Sequence, residues 1–257
     1  MKRRKLMGYA GLGLATGLGL DLLATEQVVQ AQSDRLTIRS LGHTAFLFTG
    51  GSRKILVNPF RRAGCTAGFP SPALAADIVM VSSRLLDEGY LNDLPGQPKV
   101  LSDPGVYDLG SLRIQGILTA HDRDGGRRFG SNVIWKWNQG GITLVHMGGA
   151  AAPLQVEEQI LLGRPDILLI PVGGGDKAYT PTEAVQAIQL LRPKLVIPTH
   201  YLTAAAADSC TLKPLDQFLG LMKGTPVSRA SGSSLSLRPA DLPAQGMRIQ
   251  VYQAPLA

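Results

Sequence analysis

The sequence is poor in several residue types, and each shortage narrows what the chain can be. Only 5% of its 257 residues are aromatic, 18% are charged, and there are two cysteines and four histidines. The formal net charge of +7 is mild, and no basic stripe alternates with aromatic residues, which argues against nucleic-acid binding. No apolar run reaches the roughly 20 residues that a membrane-spanning helix needs.

What remains is the composition of a folded globular protein. With 44% hydrophobic residues the chain is long enough to bury a full core, and we predict one domain over residues 32–257. No repeat of fixed period is visible. Ser82 and Ser83 lie at a predicted strand end, but no Gly-x-Ser-x-Gly motif surrounds them, so a serine-nucleophile triad is not supported.

Residues 1–31 have the pattern of an export signal. Lys2 to Lys5 form a positively charged start, residues 8–20 are short and weakly apolar, and Ala31 closes a stretch of small residues suited to cleavage. The adjacent Arg3 and Arg4 resemble a twin-arginine signal, the type used for proteins that fold before they cross a membrane. The alternative is an uncleaved anchor, for which the apolar run is too short. We therefore expect a periplasmic or thylakoid-type lumenal protein that meets the membrane only transiently, through this signal.

The two cysteines are compatible with export to such a compartment. Cys65 and Cys210 lie in loops after predicted strands, so they could form one disulfide in an oxidising compartment. Two free thiols are the alternative, and the spacing alone does not decide between them.

From residue 35 onward, turn residues alternate with short β-like segments, and helix-strand units follow. The second predicted helix has a clear start, with Thr180 as N-cap, Pro181 at the first helical position and Glu183 closing a capping box. The predicted strands are 36–40, 45–49, 54–57, 77–81, 112–118, 132–137, 142–145, 167–171 and 195–198, with two more near the end, and the predicted helices are 84–94, 154–162, 181–191 and 215–222. Two packed sheets with helices outside them fit this order.

All four histidines end or follow an apolar run: His43, His121, His146 and His200. Strand ends are where sheet-based enzymes gather ligands and catalytic groups, so side chains from these distant segments could converge on one site.

Six stretches of the chain carry a family resemblance, in matching order and spacing. They are Leu41-Gly-His-Thr-Ala-Phe46, Ile55-Leu-Val-Asn-Pro-Phe60, Ala76-Asp-Ile-Val-Met-Val-Ser82, Thr119-Ala-His121, Thr143-Leu-Val-His-Met-Gly148, and Ile170-Pro-Val-Gly-Gly174 through Pro193-Lys-Leu-Val-Ile-Pro-Thr-His-Tyr201. Over residues 35–240 the sequence resembles the metallo-β-lactamase fold in its ascorbate-6-phosphate lactonase-like branch, the UPF0173 metal-dependent hydrolases. The resemblance implies an α/β fold, a four-layer αββα sandwich, with a two-metal hydrolase site.

The ligand motif departs from the family pattern. Where the family has His-x-His-x-Asp-His, this chain reads Ser83-Arg-Leu85-Leu-Asp87-Glu88, so Ser83 and Leu85 replace two ligands of the first metal. The third ligand of that metal aligns with His121, and one imidazole does not hold a zinc ion that needs three protein ligands. Gly149 stands where the bridging carboxylate is expected, and Asn58 replaces the family's aspartate.

A residual single site is the alternative to complete loss. Asp87, Glu88, His121 and His200 offer enough donors for one weakly bound divalent ion, zinc or manganese, with Asp87 and His121 as candidate catalytic residues. Equally, Asp87 and Glu88 could simply favour the first turn of a helix. His121 could be a ligand, a general base or a residue without a task. His43, His146 and Asn58 match positions around the site and could line a ligand pocket, while hydrogen-bonded packing is the other interpretation of both histidines.

Several arginines fall in segments expected at the site edge, where they could bind a ligand carboxylate or phosphate. The candidates for ligand contact are Arg123, Arg127 and Arg128, in a loop with Gly125, Gly126 and Gly130, and further arginines are Arg61, Arg62 and Arg84. Solvated surface charge is the alternative.

Two hypotheses follow. In the first, an exported pseudoenzyme has lost two-metal hydrolysis and binds a small anionic ligand or a protein partner, without a cofactor. In the second, a hydrolase of a lactone or phosphoester keeps turnover through one residual metal.

Overall fold

The computed structural model describes residues 35–253 and 255. The predicted export signal at residues 1–31 lies outside these residues. The strands are β1 (Leu36–Gly42), β2 (Ala45–Gly50), β3 (Arg53–Val57), β4 (Ile78–Met80), β5 (Lys99–Leu101), β6 (Gly105–Leu109), β7 (Leu112–Ala120), β8 (Ser131–Gln139), β9 (Ile142–His146), β10 (Ile167–Pro171), β11 (Leu195–Thr199), β12 (Val227–Arg229), β13 (Ser234–Leu237) and β14 (Arg248–Val251). The helices are α1 (Val156–Leu162), α2 (Pro181–Leu191) and α3 (Leu215–Leu221), with 3₁₀ turns at Gly64–Thr66 and Pro239–Asp241.

The strands form two mixed sheets. The first has the order β13-β1-β2-β3-β4-β5, and the second has the order β12-β14-β11-β10-β9-β8-β7-β6. In the first sheet, β1 pairs antiparallel with β13, and Leu36 lies opposite Leu237. In the second, β9, β10 and β11 are parallel neighbours. Every residue of β10 and β11 is buried, as expected for central parallel strands covered on both faces. The predicted α/β sandwich is confirmed.

Two of the tight turns depend on residues that accept a positive φ. Gly51 and Ser52, with φ of 55° and 60°, connect β2 to β3, and Gly140 and Gly141, with φ of 59° and 73°, connect β8 to β9. A two-residue hairpin loop with positive φ at both positions twists in the same sense as the strands it joins. These turns fix the register of both hairpins.

The main core lies between the two sheets. Large side chains from both inner faces meet there, including Phe48 and Trp137, whose rings pack edge to face with centroids 5.0 Å apart. A second core lies between the second sheet and the helices, where Ile170 of β10 shares a cluster with Ile188 of α2 and Phe218 of α3. Helix α2 begins and ends as predicted, and Thr180 Oγ1 accepts from the Glu183 amide at 3.3 Å.

The outer face of the first sheet is covered by coil. Phe60 and Phe69 pack over Leu56 and Val79, and the described residues of this layer contain a 3₁₀ turn but no α-helix. The helix predicted at residues 84–94 is therefore wrong. Backbone groups of this segment form hydrogen bonds with residues 59–61 instead. The Arg61 amide donates to the Leu86 carbonyl at 2.7 Å, and the Tyr90 amide donates to the Pro59 carbonyl at 2.9 Å.

A disulfide joins Cys65 in this coil layer to Cys210 in the loop after β11, so the bonded alternative is the one found. Among residues 35–253 and 255, no helix has the length and apolar character required to cross a bilayer.

Candidate functional site

The four histidines meet at one edge of the two sheets. His43 follows β1, His121 follows β7, His146 ends β9 and His200 follows β11. All four are buried, with exposures of 8%, 0%, 0% and 2% in that order. The convergence predicted from their strand-end positions is therefore present in the structure.

Three residues at this edge have a backbone conformation with positive φ. His43, Asn58 and His200 adopt left-handed conformations with φ of 55°, 50° and 53°. Such conformations are uncommon for residues other than glycine and accumulate at functional sites, where the surrounding structure holds them in place. The His200 amide donates to the His43 carbonyl at 3.3 Å, which fixes these two turns against each other.

One group of side chains, which we call the Asp87 cluster, comprises His43, Asp87, Lys177 and His200. His43 Nε2 lies 3.9 Å from Asp87 Oδ2, and the Lys177 ammonium contacts the same carboxylate oxygen. The rings of His43 and His200 pack with centroids 4.0 Å apart. Among the described residues, His43, Asp87 and His200 form the group whose ligand atoms all lie within 4.8 Å of one another.

A second group, the Glu88 cluster, comprises Ser83, Glu88, His121 and Gly149. The Glu88 carboxylate is fully buried, accepts a hydrogen bond from Ser83 Oγ at 3.0 Å, and lies 3.4 Å from His121 Nε2. Its other oxygen is 3.7 Å from His200 Nδ1. A Cβ at residue 149 would collide with this carboxylate. Glu88 therefore occupies the space that a side chain at residue 149 would enter, between His121 and His200.

The charges in the Asp87 cluster follow from burial and from Lys177. Burial raises the pKa of Asp87, but Lys177, with a further contribution from His43, outweighs burial and holds the pKa below its usual value. Burial lowers the pKa of His43, and it lowers that of His200 well below the usual value, with a further contribution from His43. At neutral pH Asp87 is therefore a carboxylate, and the imidazoles of His43 and His200 are neutral.

His121 titrates in the opposite direction. Burial lowers its pKa, but the attraction of the Glu88 carboxylate is stronger and raises the pKa above its ordinary value. Glu88 thus favours the protonated form of His121.

His146 and Asn58 form hydrogen bonds that hold the edge of the site together. His146 Nε2 lies 3.0 Å from the Thr44 carbonyl and Nδ1 accepts from the Gly148 amide at 3.1 Å, so both ring nitrogens have partners. Burial lowers the pKa of His146 to about 4. Asn58 Oδ1 accepts from the Ser82 amide at 2.8 Å and ties β3 to the end of β4. These contacts match the packing interpretation, while a role of either residue in ligand contact stays a prediction.

The three loop arginines have different partners. Arg123 forms two hydrogen bonds to the Glu183 carboxylate and donates to the carbonyls of Gly175 at 2.9 Å and Ala178 at 3.0 Å. It ties its loop to the start of α2 and keeps little capacity for a ligand. Arg128 pairs with Asp176 at 2.9 Å on the surface, and Arg127 is exposed. Ligand contact by all three remains a prediction.

The space beside the histidines is small. The cavity lined by His43, His200, Phe69 and Tyr252, among others, holds about 20 Å³. Ligand pockets usually enclose roughly 300 to 1,000 Å³. This cavity has room for a water molecule or an ion, and a substrate of ordinary size does not fit in it.

The residue that the sequence did not indicate is Lys177. It lies in the loop between β10 and α2, where a lone lysine has no motif around it. The available signal is positional, since this loop follows the end of a central parallel strand as His200 does.

The family resemblance implies metal ions, and the donors fit that implication only in part. A two-ion centre does not fit, because Ser83, Leu85 and Gly149 supply no ligands at three of the expected positions. Donors for one ion are present in His43, Asp87 and His200, and His43 Nε2 and His200 Nδ1 are buried with no hydrogen-bond partner among the described residues. The predicted set of Asp87, Glu88, His121 and His200 is brought into one neighbourhood but not into one such group, and its metal role stays a prediction.

Known proteins resemble this chain in sequence and structure. The family described as beta-lactamase superfamily domain matches residues 37–200. A UPF0173 metal-dependent hydrolase of Thermococcus onnurineus is 27% identical over 205 residues, which are 69% of this chain and 91% of that protein. A UPF0173 metal-dependent hydrolase of Carboxydothermus hydrogenoformans is 28% identical over 216 residues, 72% of this chain and 94% of that protein.

A solved structure from Thermotoga maritima, assigned to the metallo-β-lactamase superfamily, aligns with a TM-score of 0.68 and 28% identity, covering 85% of this chain and 100% of that one. The isothiocyanate hydrolase from Delia radicum gut bacteria, at 13% identity and a TM-score of 0.61, shares the fold over 79% of this chain and 99% of that one. The chain therefore belongs to the metallo-β-lactamase superfamily, in its branch of UPF0173 metal-dependent hydrolases.

Proposed function

We propose that this chain has lost the two-metal hydrolysis of its family and binds a small anionic ligand at the rim of the former site. The observation that carries the proposal is the position of Glu88. Its buried carboxylate fills the space beside Gly149 and is held there by Ser83 and His121. A centre for two ions would need carboxylate and imidazole ligands at residues that here carry none.

The small cavity supports the same proposal. A lactone or phosphoester has to reach the reacting groups with its bond to be cleaved within about 3 to 3.5 Å of them. The cavity of about 20 Å³ beside His43 and His200 does not admit such a molecule from that side, and its lining does not include Asp87. Binding at the outer rim requires no entry into this cavity.

The rim offers cations for an anion. Arg128 lies over the Phe129 ring at 5.2 Å from its centroid. The pair of Arg128 with Asp176 has side-chain exposures of 54% and 60%. Exposed pairs of this kind contribute little stability, so a ligand carboxylate or phosphate could take the place of Asp176. Arg127 is exposed on the same loop.

Export through the twin-arginine-like signal to a periplasm or thylakoid-type lumen is part of the proposal. The bond between Cys65 and Cys210 supports it, because structural disulfides persist in oxidising compartments. A protein partner with an acidic surface segment is the other ligand class that these cations would accept.

Metal analysis and anion titration test the proposal together. The purified protein should contain less than about a tenth of an equivalent of zinc, manganese or iron, because the two-ion centre has lost its ligands and the remaining donors bind an ion only weakly. Inorganic phosphate or citrate, titrated by calorimetry, should bind about ten-fold more weakly to Arg128→Ala. Arg238→Ala is the matched control, since Arg238 is 52% exposed and pairs with Asp241 at 3.1 Å. Two equivalents of metal together with lactone or phosphoester hydrolysis would contradict the proposal.

A second candidate is a hydrolase with one metal ion, and the unpartnered nitrogens of His43 and His200 favour it. His43, Asp87 and His200 would hold the ion, and a bound zinc or manganese would supply Lewis acidity toward a water or a substrate oxygen. Replacing Asp87 or His200 with alanine should then abolish both the bound metal and the turnover. Turnover that survives either substitution would exclude this candidate.

A further inference from the structure

Lys177 reaches the Asp87 cluster from the solvent side. Its side chain is 32% exposed, that of Asp87 is 19% exposed, and the ammonium contacts Asp87 Oδ2. The same oxygen faces His43 Nε2 at 3.9 Å. The lysine therefore brings a positive charge to the Asp87 oxygen that also faces the His43 imidazole.

Apart from this lysine, the donors around Asp87 are those of a divalent-ion site. The ligand atoms of His43, Asp87 and His200 lie within 4.8 Å of one another. His43 Nε2 and His200 Nδ1 are buried and have no hydrogen-bond partner within the described part of the chain. His43 is 8% exposed and His200 is 2% exposed, so bulk water does not solvate these nitrogens freely. Two imidazoles and a carboxylate are a ligand set that zinc and iron use in proteins.

The ammonium and a divalent ion compete for the same place. Both need a negative oxygen, and the ammonium already contacts Asp87 Oδ2, the oxygen that faces His43, so an ion bound there would be repelled by the ammonium. We infer that Lys177 is a tethered cation that occupies the position of a divalent ion at Asp87 and thereby keeps metals out of the site. The inference rests on the proposed function, since it explains why a chain with three suitable donors would work without a metal.

Titration with Co²⁺, followed by visible absorption, tests the inference because the spectrum reports coordination and not activity. Lys177→Met removes the charge and keeps the length of the side chain. This variant should bind one equivalent of Co²⁺ about ten-fold or more tighter than the unmodified protein does. Lys177→Arg keeps the charge and should bind Co²⁺ as weakly as the unmodified protein. Lys194→Met is the matched control, because Lys194 pairs with Asp166 at 2.8 Å away from the site.

Co²⁺ binding by Lys177→Met must also depend on His200, one of the three proposed ligands. Adding His200→Ala to Lys177→Met should abolish the new Co²⁺ spectrum, and a spectrum that persists would mean that the ion binds elsewhere and would overturn the inference. Thermal melts check folding, and Lys177→Gln replaces the Met variant if that variant melts early.

The failures of the two proposals are distinguishable. If the unmodified protein is free of metal and Lys177→Met gains no affinity, the inference is wrong and the proposed function stands. If the unmodified protein is isolated with two equivalents of metal, the proposed function is wrong, and the inference falls with it.

Discussion

The substitution of Gly149 by alanine tests whether the Glu88 carboxylate fills the space beside residue 149. The substitution Gly149→Ala places a Cβ that collides with one Glu88 carboxylate oxygen and lies 2.8 Å from Glu88 Cδ and 3.0 Å from His121 Cε1. Gly149 is not among the residues with a left-handed φ, so alanine suits the backbone there. Any loss of stability therefore measures the close contacts of this Cβ, among which the contact with Glu88 is the shortest.

The expected cost combines two effects. Overpacking a buried site costs about 1 to 3 kcal/mol. A displaced Glu88 also weakens its hydrogen bond from Ser83, now 3.0 Å long, and such charged hydrogen bonds contribute about 1.5 to 3 kcal/mol. Because the displacement weakens this bond without abolishing it, we expect a loss of about 3 kcal/mol in the free energy of unfolding. At about 2 to 4 °C per kcal/mol, the melting temperature falls by about 6 to 12 °C.

Urea unfolding with the disulfide intact, followed by the fluorescence of the buried Trp135 and Trp137, measures this loss. Gly220→Ala in α3 is the control, because no atom lies within 4 Å of its Cβ position, and it should be neutral or stabilising by about 0.5 to 1 kcal/mol. Combining Gly149→Ala with Glu88→Ala removes the collision, so the double variant should lose about 1 to 2 kcal/mol less than the sum of the single losses. Additivity within about 0.5 kcal/mol would refute the reasoning, since it would mean that Glu88 does not fill this space.

Two further predictions concern protons and the disulfide. Burial lowers the pKa of His146 from 6.5 to about 4, so the unfolded chain binds the extra proton between these values. The contribution of His146 to stability is therefore complete above pH 6.5 and is lost as the pH falls toward 4, by about 3 kcal/mol in all. Urea unfolding at several pH values should show a shallower slope for His146→Gln, and an unchanged slope would contradict the assignment. The Cys65 and Cys210 bond spans a separation of 145 residues, so Cys65→Ser with Cys210→Ser should cost about 5 kcal/mol by loop-closure entropy. A melting temperature that is insensitive to reductant would count against that role.

Local chemistry explains which elements the sequence predicts well. Helix α2 is bounded as predicted because Thr180, Pro181 and Glu183 determine its start within four residues. The segment at residues 84–94 has helical composition, yet its backbone bonds to the Pro59 and Arg61 region, and a Cβ at Gly89 would collide with the Ser83 carbonyl. Contacts with a segment distant in sequence override helix propensity there, and no local pattern reports them.

The same distinction applies to the site. Strand-end positions predict that the four histidines converge, because the carboxyl ends of neighbouring strands share an edge. They do not predict which carboxylate each imidazole faces. That depends on side-chain paths in a loop without regular structure, where Asp87 turns toward His43 and Glu88 toward His121. Lys177 was missed because its role depends wholly on that arrangement.

The pairing of β1 with β13 has a consequence for the order in which the chain folds. Leu36 opens the first sheet and faces Leu237, so the sheet gains its edge strand only when nearly the whole chain is available. Contacts of such long sequence separation slow folding and leave strand edges exposed in the meantime. Until β13 has been synthesised, the edge of β1 that it covers in the finished sheet has no strand partner. A holding chaperone that binds exposed strand edges would find its target there.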